Sequence, residues 1–88
     1  MEANCTHLDQ IDAKAQPKTP EGCEECLASN QPWNELRMCL TCGHIGCCDN
    51  SFGKHATAHF KSTGHPIMAG YKTPSAFKWC YIDEVTLD

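Results

Sequence analysis

Short apolar runs, each closed by turn residues, punctuate this chain. β-type runs occupy Leu36 to Leu40, Ile45 to Cys47, Ile67 to Tyr71 and Phe77 to Ile82, with KTPS at Lys72 to Ser75 turning between the last two. They predict a small antiparallel sheet. One helix is expected from about Lys54 to Ser62, with Asn50 or Ser51 as N-cap, Lys61 near its negative end and Gly64 as its stop. A helix so short is marginal without outside anchorage. From Ala13 to Gly22, AKAQPKTPEG has two prolines and no apolar period, and reads as an extended surface loop.

Composition shows why such elements need help. The chain has 88 residues, which suits one domain over residues 1–88, and its 41% apolar fraction includes eight cysteines. A chain of this size usually needs disulfides, metals or a partner to hold it. The opening MEANCTHLDQID is polar, so no secretory leader is expected, and the cysteines travel with five histidines that disulfide chemistry does not require. Metal binding in a reducing cytoplasm is the expectation. The net charge of −4 and seven scattered basic residues argue against nucleic acid, and no stretch approaches membrane-spanning length. No feature calls for a partner copy, so a monomer is expected.

Two CxxC pairs, Cys23 with Cys26 and Cys39 with Cys42, are each spaced to grip one tetrahedral zinc, and Gly43 lets the chain turn beneath the second. Cys47, His55, His59 and His65 are the nearest supply of closing ligands. In HATAH, His55 and His59 stand four apart on one helix face, and spacing leaves open whether they share one ion or split between two. Hydrolysis is not expected. The general base of HExxH is replaced by Ala56, the deaminase HxE is absent, and two closed sites leave no position for substrate. At the ends, Cys5 and His7 with Cys80 make a further set, for which Asp83 is the best fourth donor. Cys48 and His44 are then left over. Cys48 reads as a small buried thiol, with a fourth-ligand role at the terminal set as the rival, and His44 as a solvated knuckle residue.

CTH at Cys5, CEEC, CLTCG, Cys47, HATAH, GHP at Gly64 and WCY at Trp79 together resemble the UBP-type zinc finger, the ubiquitin-binding module of ubiquitin-specific proteases and of a cytoplasmic histone deacetylase. The resemblance spans nearly the whole chain. It implies interleaved ligation, with Cys23, Cys26, Cys47 and His55 on one zinc and Cys39, Cys42, His59 and His65 on another. A third zinc is implied at Cys5, His7, Cys80 and the position of Asp83, where the family pattern has cysteine.

The resemblance also implies an aromatic pocket that clasps the C-terminal glycine tail of ubiquitin, and Trp79 and Tyr81 fall at two of its positions. The pocket arginine, however, is replaced by Asp49, which repels a carboxylate, and a further aromatic position holds Arg37. Losing a buried charged hydrogen bond from an interface commonly costs about 2–5 kcal/mol, so ubiquitin is not expected as the partner. Arg37 offers a different grip on a peptide or protein C-terminus. The plainer reading makes Arg37 a solvated strand residue and packs Trp79 and Tyr81 over the terminal ion. Trp33 is expected to cap the core beside the first CxxC.

The sequence therefore predicts an α+β zinc-binding module, an antiparallel sheet with one or two short helices and cross-braced zinc sites, non-enzymatic and built to dock a protein or peptide. A purely structural or zinc-storage role is the alternative. A thiol redox role would need CEEC or CLTC to open a helix after a strand and to have activated thiols, which Glu24 and Glu25 disfavour.

Overall fold

The computed structural model describes residues 7–72 and 77–87. A five-stranded antiparallel sheet runs in the order β2-β1-β3-β4-β5, with β1 Leu36–Cys39, β2 Ile45–Cys47, β3 Ile67–Tyr71, β4 Lys78–Cys80 and β5 Val85–Leu87. Two helices accompany it, α1 Glu24–Ser29 and α2 His55–Thr63.

Side chains alternate between the two faces of the sheet, and cross-strand partners share a face. Leu36 pairs with Cys47 and Tyr71, and Met38 with Ile45, so these residues point one way and meet Cys23 and Cys26 of the α1 region, with Trp33 packed alongside. Ile67, Cys80 and Val85 are in register on that same face and pack with Ile11 and Leu40. Arg37, Gly46, Met68 and Trp79 occupy the opposite face, where α2 lies. A Cβ on Gly46 would strike the backbone of Ala56, so the bare glycine lets α2 settle on β2.

Among the described residues, six of the ten buried apolar side chains are cysteines, and Ile45 and Ile67 are the only large aliphatics with no exposure. Hydrocarbon alone does not fill this interior. A core of this kind depends on what holds the sulfurs together.

Sequence expectations fare differently by element. β1 to β3 fall where the apolar runs place them, and α2 ends as expected at Gly64, a left-handed cap with φ of 77°. Its start does not. Lys54, at φ 49° and without a side-chain cap bond, precedes the helix, because the Ser51 hydroxyl accepts from the Asn34 backbone N–H at 2.7 Å instead. The last run is split. β4 ends at Cys80, a turn follows, and β5 pairs back onto β4. CEEC opens a helix, Cys23 capping α1 through its sulfur, which accepts from Cys26 N–H at 3.4 Å. Among the described residues no strand precedes it, in line with the expectation that neither CxxC pair opens a helix after a strand. The Ala13 to Gly22 stretch forms neither helix nor strand and is strapped to the knuckle after β1 by Lys18 N–H donating to Gly43 C=O at 2.9 Å. Cys5 and most of the KTPS turn lie outside the described residues.

Candidate metal centres and the cleft beside them

Around β2, the Cys23, Cys26 and Cys47 sulfurs lie 3.3, 3.4 and 3.4 Å from His55 Nδ1, and Cys26 Sγ is 3.8 Å from Cys47 Sγ. Tetrahedral zinc, with sulfur at about 2.3 Å and nitrogen at about 2.0–2.1 Å, requires edges of roughly 3.8 Å between sulfurs and 3.5 Å between sulfur and nitrogen. The four donor atoms fit that polyhedron. Backbone N–H groups of Cys26 and His55 point at Cys23 and Cys47 sulfurs, at 3.4 and 3.3 Å, and favour thiolate there.

Cys39, Cys42, His59 and His65 form the second group, with Cys39 Sγ 3.6 Å from His65 Nδ1 and Cys42 Sγ 3.4 Å from His59 Nε2. Gly43, at φ 88°, makes the turn after Cys42, and a Cβ there would collide with the Gln16 carbonyl. The two histidines of HATAH are thus divided, His55 to the first group and His59 to the second. Between them stands Ala56, 8% exposed with its backbone against Gly46, where a metalloprotease would carry its glutamate base.

The third group joins the chain ends. His7 Nδ1 lies 3.1 Å from Asp83 Oδ2 and 3.6 Å from Cys80 Sγ, and Cys80 Sγ lies 3.8 Å from Asp83 Oδ2. Asp12 N–H donates to Leu40 C=O at 2.9 Å and Thr41 Oγ1 to Gln10 C=O at 2.6 Å, which carries His7 across to β4. Sequence spacing of the Cys80–Asp83 pair resembles the CxxC pairs, with the Asp83 N–H directed at Cys80 Sγ at 3.4 Å.

The electrostatics favour a cation in these clusters. Burial, with mutual repulsion among neighbouring thiolates, pushes the Cys26 thiol up to about 12 and raises Cys23 and Cys39 as well. Without a cation three thiolates at such distances cannot coexist. Raised thiols are also poor nucleophiles, which speaks against a dithiol redox pair. For His59, burial and then the neighbouring His44 and His65 lower the imidazole to about 4, so it stays neutral and able to ligate.

His44 is not solvated. It is 6% exposed, its Nε2 lies 2.8 Å from Glu25 Oε2, and its ring stacks on His59 at 4.1 Å and 3°. Glu25, from α1, reaches over the knuckle, which no local spacing reveals. Cys48, 5% exposed, is buried as expected and stands apart from the three donor groups, with Ser51 Oγ 3.6 Å from its sulfur. Burial pushes its thiol up, but hydrogen bonding with Ser51 and the Glu35 and Asn50 backbone, together with the Arg37 charge, turns the net shift downward. Trp33 lies over the first group as expected, packed against the core and Gly22.

On the face that carries α2, Arg37, Cys48, Asp49, Asn50, Thr57, Met68, Phe77, Trp79 and Tyr81 line an open cleft of about 260 Å³. Trp79 does not pack over the terminal group, because the period of two sends Cys80 to the other face of β4. Tyr81 stacks on Phe60 at 4.6 Å, and burial raises its hydroxyl above the ordinary value despite a hydrogen bond with Thr57. Arg37 is no solvated strand residue either. Its side chain is 14% exposed, with the guanidinium 4.8 Å from the centre of the Phe77 ring.

A small sheet wrapped by interleaved Cys and His tetrads defines a cross-braced zinc-binding domain. The chain belongs to the UBP-type zinc fingers: the family model described as Zn-finger in ubiquitin-hydrolases and other protein matches residues 23–88. Ubiquitin carboxyl-terminal hydrolase 14 of Schizosaccharomyces pombe is 34% identical over 76 residues, covering 75% of this chain and 9% of that protein. Histone deacetylase 6 of Caenorhabditis elegans is 31% identical over 83 residues, covering 90% and 8% respectively. The chain spans about a tenth of the length of these curated relatives. A solution NMR structure of a protein from Rhodopseudomonas palustris matches with a TM-score of 0.87 at 52% identity, over 100% of this chain and 84% of that one.

Proposed function

We propose that residues 1–88 form one non-catalytic docking domain whose working surface is the cleft between β4 and the start of α2. Cys23, Cys26, Cys47 and His55 are read as the ligands of one zinc, and Cys39, Cys42, His59 and His65 as those of a second. His7, Cys80 and Asp83, with Cys5, are read as the ligands of a third. The bound ions supply cross-links that substitute for a hydrocarbon core, on the order of 10 kcal/mol of apparent binding energy each. With four protein donors per ion no coordination position is left for substrate, and the buried Ala56 provides no base. Thiols kept for metal suit a reducing compartment, the cytoplasm in this reading.

The observation that carries the docking role is the cleft itself: aromatic walls from Phe77, Trp79 and Tyr81 with a half-hidden Arg37 among them. An arginine set in aromatic surroundings grips a carboxylate bidentately, which fits the free end of a peptide or protein. Asp49 on the facing wall speaks against the glycine tail of ubiquitin.

Two measurements test this. Native mass spectrometry with and without chelator should count three zinc ions on the folded chain; fewer than two would overturn the cross-brace. NMR titration of the zinc-loaded chain with peptides bearing free carboxyl termini should shift Arg37, Trp79 and Tyr81 together. Shifts confined to some other face would overturn the cleft as the docking surface.

A further inference from the structure

The cleft carries two opposite charges that do not neutralise each other. Arg37 enters from β1 with its guanidinium 4.8 Å from the centre of the Phe77 ring, and among the described residues only its Nη1 makes hydrogen bonds, donating to Leu36 C=O at 3.0 Å and lying 3.5 Å from exposed Glu35 Oε1. A guanidinium has five N–H donors, so a fork remains for a ligand. Asp49 borders the cleft from the loop after β2, its Oδ1 accepting from Thr57 Oγ1 at 2.6 Å. Its second oxygen retains acceptor capacity. Among the described residues Arg37 and Asp49 form no ion pair with each other, and Met68, Trp79 and Tyr81 line the same cleft.

A surface with a cation, an anion and aromatic faces complements a ligand that holds both charges joined by an apolar stem, and penalises one that leaves either charge unmatched. A glycine tail leaves Asp49 without a counterpart. An internal lysine leaves Arg37 without one. A terminal lysine or arginine matches both, with its α-carboxylate in the Arg37 fork, its methylene stem along Trp79 and Tyr81, and its charged head at Asp49. The cleft volume of about 260 Å³ lies just under the roughly 300–1,000 Å³ of pockets that take drug-sized ligands, which suits one terminal residue. We propose that this cleft, on the docking reading above, selects polypeptide C-termini that end in lysine or arginine.

The test is fluorescence anisotropy on the full zinc-loaded chain with labelled hexapeptides. Four are compared: a free-acid peptide ending in lysine, its C-terminal amide, its norleucine analogue and a free-acid peptide ending in Gly-Gly. The lysine acid should bind at least about 10-fold tighter than each of the others, the scale of about 1.4 kcal/mol. Asp49→Asn should erase the preference for lysine over norleucine yet keep the loss on amidation, and Arg37→Gln should do the reverse. Zinc content of each variant is measured alongside, so that a misfolded protein is recognised. Equal binding of lysine and norleucine acids, or tighter binding of Gly-Gly, would overturn the selectivity while leaving peptide docking intact. Failure of all four peptides to bind would overturn docking at this cleft and the selectivity with it.

Discussion

His44 and Glu25 meet across the two metal-binding halves of the domain, Nε2 to Oε2 at 2.8 Å and to Oε1 at 3.0 Å. An ionised carboxylate only accepts, so Nε2 donates and the contact fixes the ring. That ring lies flat on His59 of the second donor group, while Glu25 sits within the CEEC of the first. The pair therefore ties the orientation of one set of donors to the placement of the other. His44→Ala removes the hydrogen bond and the stack, and is expected to cost about 1–3 kcal/mol in denaturant unfolding of the zinc-loaded chain. A change below about 0.5 kcal/mol, the size typical of neutral surface substitutions, would show the pair to be idle.

Removing one ligand of a complete tetrad should be far more severe. Small domains are stable by only about 5–15 kcal/mol, similar to the contribution of a single structural zinc. Cys26→Ala is accordingly expected to abolish cooperative unfolding, and exhaustive EDTA treatment under reductant should do the same to the unaltered chain. Survival of a dispersed NMR spectrum after either treatment would show that the sulfur-rich interior holds without metal.

Asp83 should act locally. Its oxygen stands where soft sulfur would bind zinc more tightly, so Asp83→Ala is expected to lower the native zinc count by one while both tetrads stay loaded. Asp83→Cys should instead slow release of that ion to a competing chelator. An unchanged count for Asp83→Ala would remove Asp83 from the ligand set.

Protonation and metal oppose each other. Without metal, burial pushes the Cys26 thiol up to about 12 against an ordinary value of 9.0, so the proton stays on the sulfur until a cation displaces it. Zinc requires thiolate, so loading the two tetrads near neutral pH should expel protons, with Cys23, Cys26 and Cys39, whose thiols are raised, among their sources. His59 works from the acid side. Held near 4 against an unfolded value of 6.5, it makes the unfolded state the better proton binder between them, and stability falls as pH drops through that range. An indicator-dye titration of zinc uptake, followed by an acid titration of zinc release, checks both. Uptake without proton release would contradict preloaded neutral thiols.

Much of this was readable locally. The apolar runs of β1, β2 and β3 and the stop at Gly64 each depend on a few adjacent residues, so their chemistry shows in a line of text. β5 was missed because Val85–Leu87 has no pattern strong enough to announce a strand, and it is paired only once β4 is there to receive it. The N-cap was misplaced for a similar reason, since Ser51 is claimed by Asn34, 17 residues away.

What the sequence determined by itself is the donor inventory and its short-range spacing, because two thiols three apart are brought together by backbone geometry alone. Tertiary structure decided the rest: that His55 and His59 part company, that His44 is buried against Glu25, that Trp79 and Cys80 face opposite ways, and that Arg37 and Asp49 come to border one cleft. Each of those outcomes turns on contacts between segments distant along the chain, and such contacts exist only after the sheet has chosen its register and the helices have chosen their faces.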